Sequence, residues 1–135
     1  MSTTACAVLG LATWAIVMTV VLLVVRMSAS MKDGKKLNSF DHEGRDMQPF
    51  GYRVTRAHGN TIENLAIPAS FLLYSLVTSQ TAITDGMAAW VLWSRVGQSV
   101  VHMISTSVPM VLVRATLFTI QTTVCAIWAW KFFHA

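Results

Sequence analysis

Four long apolar stretches alternate with polar connections along the 135-residue chain. Each stretch reaches the length of about 20 residues that a helix needs to cross the hydrocarbon core of a bilayer. The pattern predicts transmembrane helices at about 5–27, 52–79, 84–107 and 109–132. The first and last carry the clearer signal, because the second begins with polar residues and the third has Arg95 in its middle.

The connections between these stretches indicate how the helices are arranged. Those near 80–85 and 107–109 are very short, so the helices that they join must be antiparallel neighbours. We therefore expect an all-α, integral membrane four-helix bundle, left-handed and antiparallel, in a single domain that covers residues 1–135. Pro68 lies inside the second stretch, where it leaves the Asn64 carbonyl without its usual donor and predicts a kink.

The long first loop, residues 28–51, predicts the orientation of the chain in the membrane. It carries Lys32, Lys35, Lys36 and Arg45, whereas the short second loop offers only Asp85. By the positive-inside rule the long loop is cytoplasmic and both termini lie on the opposite side. A cleaved signal peptide is the alternative for the first stretch, but its first ten residues lack positive charge and the apolar run is too long.

The composition agrees with a membrane protein and argues against nucleic-acid binding and against a metal site. The chain is 54% hydrophobic and only 12% charged, and eight of its sixteen charged residues lie between positions 32 and 46. The net charge of +4 does not indicate nucleic-acid binding, because the basic residues lie beside or inside apolar runs. Cys6 and Cys125 lack metal-type spacing and are expected to pack as small apolar side chains, and we expect no metal.

Polar residues within the last three stretches recur at helical spacing. Residues 53, 56, 60 and 63 of the second stretch share one face, as do three residues of the third and two of the fourth. At about 1.5 Å per residue, several of them reach a similar depth near the same membrane face. The residues on these stripes are Arg53, Arg56, Asn60 and Glu63, then Arg95, Gln98 and His102, and finally Arg114 and Gln121.

Ionisable residues inside a membrane are costly and usually mark a functional site. One carboxylate, Glu63, cannot neutralise so many arginines, so the cluster predicts a site for an external anion. The alternative is that these residues hold the helices together as polar pairs, such as Glu63 with one arginine. Arg53 can also extend into the lipid headgroups, and His58 lies off the polar face of its helix.

The run from Arg53 to Glu63, RVTRAHGNTIE, meets every specified position of the pattern R-x-x-R-A-x-x-N-x-x-E. With four predicted spans, Arg95-Val96 in the third and Arg114 in the fourth, the chain resembles the MAPEG family, the membrane-associated proteins in eicosanoid and glutathione metabolism. The resemblance covers nearly the whole chain.

The resemblance implies a homotrimer in the lipid bilayer, with sites between adjacent subunits on the cytoplasmic side that bind glutathione as a co-substrate. It implies that Arg114 stabilises the glutathione thiolate and so acts as the catalytic residue. Arginine forks suit the two carboxylates of glutathione. The other positions that the resemblance assigns to the glutathione pocket are Arg53, Arg56, His58, Asn60, Glu63, Arg95, Gln98 and His102.

The expected activity is conjugation of glutathione to lipophilic electrophiles or reduction of lipid hydroperoxides. Four positions, Asn64, Gln98, His102 and Phe118, depart from residues found in several family enzymes, and they argue against eicosanoid-specific chemistry. The alternatives are a non-catalytic lipid-presenting protein of the same fold and a proton-coupled drug exporter. An exporter of that kind needs a carboxylate in the first span, and residues 5–25 contain none.

Overall fold

The computed structural model describes residues 1–135 and is entirely helical. It has five helical segments: α1 (Thr3–Asp33), α2 (Pro49–Glu63), α3 (Ala66–Val77), α4 (Thr81–Ile104) and α5 (Val108–Phe133). The helices α2 and α3 follow each other with a break of two residues, so the chain forms four helical columns. Two helices, α1 and α5, are long and apolar enough to cross a membrane.

The ends of the helices follow from local sequence. The Ser2 side chain accepts a hydrogen bond from the Ala5 amide and caps α1, which ends at Gly34 in the left-handed conformation. Proline stands in the first turn of both α2 and α5, where its missing N–H is not needed. The break at Asn64 and Leu65 comes four residues before Pro68, which agrees with the kink expected from that proline.

The helix α4 lies at the centre and packs against all the others. It is antiparallel to α2, because Thr61 hydrogen-bonds Ser99 whereas Arg53, earlier on α2, bonds Met103 further along α4. It is parallel to α1: Thr4 pairs with Thr84, and the Trp14 indole N–H donates to the Ser99 hydroxyl at 3.1 Å. The shared apolar core consists of Ala7, Leu11, Leu72, Ala88, Val91, Val124, Cys125 and Trp128.

Many large apolar side chains of the protein are exposed, and many of its buried residues are polar. Of the 27 buried residues, 11 are polar or charged, whereas large apolar side chains such as Ile16, Val20, Leu23 and Leu112 are more than half exposed. Buried polar groups need hydrogen-bond partners, and many of the hydrogen bonds that they form here join two helices. An apolar exterior around a partly polar interior is what a lipid environment favours.

Candidate functional site

The polar face of α2 forms one wall of the candidate site. Arg56, Asn60 and Glu63 are spaced four and three residues apart, so they project to the same side of the helix. Arg56 and Glu63 are exposed and Asn60 is half-buried. The buried Thr55 donates its hydroxyl to the Gly51 carbonyl at 2.9 Å, so this hydrogen bond is formed within α2.

The junction between α4 and α5 forms the opposite wall. His102 is buried near the end of α4, and Arg114 lies in the second turn of α5. Only residues 105–107 separate the two helices, so the chain reverses direction there. The reversal brings the His102 and Arg114 side chains towards the same cavity. The Nε of Arg114 is buried without a hydrogen-bond partner in the protein. A buried guanidinium N–H in that state is available to a ligand or water.

These walls enclose a cavity of about 240 Å³ with no hydrophobic residue in its lining. Five of the nine site residues expected from the sequence line it, and they come from the three helices α2, α4 and α5. The lining residues are His42, Glu43, Thr55, Arg56, Gly59, Asn60, Glu63, His102 and Arg114.

Sequence reasoning missed the contribution of the long loop, residues 34–48. His42 and Glu43 line the cavity although neither lies on a helix. Their position depends on Gly44, which is buried and has a φ of +74°. The signal available in the sequence was Gly44 with a charged residue on each side, Glu43 and Arg45. That pattern does not indicate where the loop packs.

Arg95 lies behind the cavity instead of in its lining. It is only 1% exposed, and its Nη1 donates to the Asn60 side-chain oxygen at 3.0 Å and to the Asn60 carbonyl at 3.4 Å. Because the guanidinium can only donate, it fixes the orientation of the Asn60 amide and leaves its Nδ2 without a protein acceptor. Arg95 thus contacts the cavity through Asn60.

The other three expected residues also lie outside the cavity. The Nε of Arg53 donates to the Met103 carbonyl at 2.8 Å, and its guanidinium lies 5.9 Å from the centre of the Phe50 ring. His58 shares a hydrogen bond with the Thr19 hydroxyl of α1 at 3.2 Å. Gln98 is buried and its Oε1 has no partner. A role for these side chains in ligand binding stays a prediction.

The ion pairs of the protein are confined to the loop. Lys35 pairs with Asp46, and Arg45 pairs with Glu43. The Lys35 ammonium holds the pKa of the Asp46 carboxyl below its usual value through this contact. Glu63 forms no ion pair with an arginine, so the helix-joining pair considered from the sequence is not formed.

The cavity therefore combines two guanidinium groups, two carboxylates and two imidazoles. The lining holds as many carboxylates as guanidinium groups, whereas the sequence suggested a single carboxylate among several arginines. Such a set can bind carboxylates through arginine and an ammonium through glutamate. No group of three or more His, Cys, Asp or Glu side chains is arranged to hold a metal ion.

One of three comparisons with known proteins identifies a family for this chain. The sequence profile of the MAPEG family matches residues 4–134 of the 135-residue chain, a span that includes every cavity residue. A search of curated proteins and a search of solved structures each found no match. The family includes glutathione transferases and peroxidases as well as non-catalytic members. The chain belongs to the MAPEG family.

Proposed function

We propose that this protein binds glutathione in the cavity between α2, α4 and α5 and activates its thiol for reaction with a lipophilic electrophile or a lipid hydroperoxide. The observation that carries the proposal is the convergence of Arg56, Asn60, Glu63, His102 and Arg114 on one polar cavity. These residues come from three helices, and the family that the chain belongs to is associated with glutathione.

The donor set matches the groups that glutathione presents. Its two carboxylates suit guanidinium groups such as that of Arg56, and its ammonium suits a carboxylate. The Nδ2 of Asn60, whose oxygen is held by Arg95, can donate to a peptide carbonyl. Together these groups orient the peptide, and orientation lowers the barrier to reaction by removing an entropic cost.

Arg114 is the proposed thiolate stabiliser. A guanidinium beside the sulfur favours the thiolate over the thiol, and the thiolate is the nucleophile. In the transferase reaction the sulfur forms a bond to an electrophilic carbon, and the leaving group departs with the electron pair of its bond. With a hydroperoxide the thiolate attacks the terminal oxygen and the O–O bond breaks, which gives a sulfenic acid on glutathione and an alkoxide that takes a proton. A second glutathione then reduces the sulfenic acid, and the products are the disulfide and water.

The same proposal includes four membrane spans, at about 5–27, 52–79, 84–107 and 109–132, with the loop 28–51 cytoplasmic and both termini opposite. It also includes a homotrimer in the lipid bilayer with sites between adjacent subunits. Arg56 and Glu63 remain exposed in the single chain, which supports completion of the site by a second chain. Mass measurement of the purified protein in detergent should give three copies; a monomer that binds glutathione would contradict this part of the proposal.

The test of the proposed chemistry is the ultraviolet absorbance of the thiolate when glutathione is added to the purified protein. The wild type should show the absorbance and Arg114→Ala should lose it. Lys131→Ala is the matched control, because it removes an exposed cation at the far end of the same helix and should leave the signal unchanged.

Equal thiolate signals in the wild type and Arg114→Ala would refute the role of Arg114. If glutathione neither binds nor raises the thermal stability of the wild type, the proposal fails and the non-catalytic lipid-presenting alternative gains support. Conjugation of a broad aryl halide, followed by assay with a lipid hydroperoxide, then separates transferase from peroxidase activity.

A further inference from the structure

Formation of a thiolate in the cavity releases a proton that Arg114 cannot take. A guanidinium is always protonated in proteins and can only donate hydrogen bonds, so it stabilises the sulfur anion without accepting its proton. Either a side chain of the cavity accepts this proton or the proton enters the solvent. The lining side chains that can accept a proton are His42, Glu43, Glu63 and His102.

The chemistry of a thiol favours an imidazole as the acceptor. The ordinary pKa of a cysteine thiol is about 8.5, that of an imidazole is about 6.5, and that of a glutamate carboxyl is about 4.3. Transfer of the proton to an imidazole is therefore about a hundredfold more favourable than transfer to a carboxylate. The two imidazoles of the lining are those of His42 and His102.

Of these two imidazoles, that of His102 lies on the same wall of the cavity as Arg114. A Cβ added to Gly97 of α4 would lie 3.5 Å from the Cδ1 of Leu117 on α5, so these two positions face each other. His102 follows Gly97 by five residues, and Arg114 precedes Leu117 by three, both towards the connection between the helices. At 1.5 Å per residue, their positions along the antiparallel helix pair differ by about 3 Å. His42, by contrast, is an exposed residue of the loop.

The His102 imidazole is not engaged by the protein itself. Its side chain forms no hydrogen bond within the chain, whereas the imidazoles of His58 and His134 each share one. His102 is only 6% exposed and yet lines the cavity, so its ring faces the contents of the cavity and little bulk water. Exclusion of water from a site limits the loss of protons to solvent, and this favours direct transfer from a bound thiol.

The charges around His102 make a proton on its ring depend on the ligand. Positive charges repel a proton on an imidazole, and two guanidinium groups line the cavity with His102. Glutathione brings two carboxylates and the new thiolate, so its binding favours an imidazolium there. The titratable and charged groups that share the cavity with His102 are His42, Glu43, Arg56, Glu63 and Arg114.

We propose that His102 is a general base that accepts the thiol proton of bound glutathione and, in the reduction of a hydroperoxide, returns it to the alkoxide. This inference rests on the proposed function of the cavity and adds the fate of the proton. The S–H bond breaks, its electron pair stays on the sulfur, and the proton bonds to a ring nitrogen of His102. After the thiolate has attacked the hydroperoxide, the imidazolium gives this proton to the alkoxide, which leaves as an alcohol. With an aryl halide the halide leaves unprotonated, and the imidazolium loses its proton to water.

The experiment counts the protons released when glutathione binds to the purified protein in detergent. Calorimetric titration near neutral pH, in buffers of different ionisation enthalpy, gives this number, and the ultraviolet absorbance gives the amount of thiolate. In the wild type the proton stays on His102, so the release per thiolate should be close to zero. The variants His102→Gln and His102→Asn carry an amide that cannot accept the proton, so each should release about one proton more per thiolate than the wild type.

Two other histidine variants serve as controls. His134→Gln removes an exposed imidazole beyond the end of α5 that is remote from the cavity, and the proton count should not change. His42→Gln removes the other imidazole of the lining and should keep the wild-type proton count, even where the affinity for glutathione changes.

The pH profile separates a base from a residue that only supports the fold. The rate of aryl-halide conjugation by His102→Gln, relative to the wild type, should recover by up to about tenfold per pH unit as the pH rises above neutral, because the thiol then loses its proton to water. A loss of rate that is equal at every pH would overturn the role of His102 as a base.

The possible outcomes distinguish this inference from the function on which it rests. A wild type that neither binds glutathione nor forms its thiolate refutes both. A wild type that releases about one proton per thiolate refutes the inference alone. That measurement needs no variant, so it decides the matter even where a buried substitution prevents folding. Equal proton counts in the wild type and a folded His102 variant would also refute the inference, and an increased count in His42→Gln alone would assign the proton to the loop imidazole instead.

Discussion

Replacement of Arg95 by methionine should raise the stability of the protein and weaken its binding of glutathione. Arg95 is 1% exposed, forms no ion pair, and its Nε and Nη2 have no hydrogen-bond partner. Methionine has a similar length and lacks both the charge and these donors. Replacement of a buried ion pair by apolar residues of similar volume is often neutral or stabilising by about 1–4 kcal/mol, and Arg95 has no opposite charge to offset its desolvation.

The effect on binding has a different origin. The hydrogen bond from Arg95 Nη1 holds the Asn60 oxygen at 3.0 Å, so the amide nitrogen is left for the ligand. Without it the Asn60 side chain can rotate, and the ligand loses one well-aligned neutral hydrogen bond. Such a bond contributes about 0.5–1.5 kcal/mol, which corresponds to about two- to thirteenfold weaker binding.

The assays are thermal unfolding in detergent and titration with glutathione, each performed on a double-mutant cycle of Arg95→Met and Asn60→Ala. If Arg95 acts through Asn60, Arg95→Met should change the affinity by less than about twofold in the Asn60→Ala background. An equal loss of affinity in both backgrounds would refute this positioning role. A large fall in unfolding temperature with unchanged affinity would refute the interpretation of Arg95 as an unpaired charge that serves the site.

Two further predictions concern contacts remote from the cavity. Asp85→Asn should lower the unfolding temperature, because the Asp85 carboxylate accepts from both the amide and the hydroxyl of Thr4 at 2.8 and 2.7 Å; an unchanged unfolding temperature would contradict this prediction. The lowered pKa of Asp46 means that its contact with Lys35 stabilises the loop fully above the ordinary pKa of 3.8 and is lost as the pH falls through the lowered value. Acid below that range should therefore increase protease cleavage of the loop, and Asp46→Asn should show this increased cleavage at every pH; equal cleavage of the two proteins at neutral pH would refute the role of the contact.

Much of the fold follows from features local in the sequence. The apolar runs and their short connections predicted the helical columns, and Pro68 predicted the interruption found at Asn64 and Leu65. Helical spacing also placed Arg56, Asn60 and Glu63 on one side of α2. These features are predictable because 3.6 residues per turn and the missing N–H of proline act within a single helix.

The composition of the cavity depended on contacts between elements. His58 shares the predicted second span with Arg56 yet contacts Thr19 of α1, and Arg95 reaches the ligand cavity only through Asn60. Glu43 joined the site because the turn at Gly44 packs against Thr55. Periodicity gives the direction of a side chain on its own helix. The rotation of neighbouring helices and the docking of a loop are set by packing between residues distant in the chain, which only the tertiary structure decides.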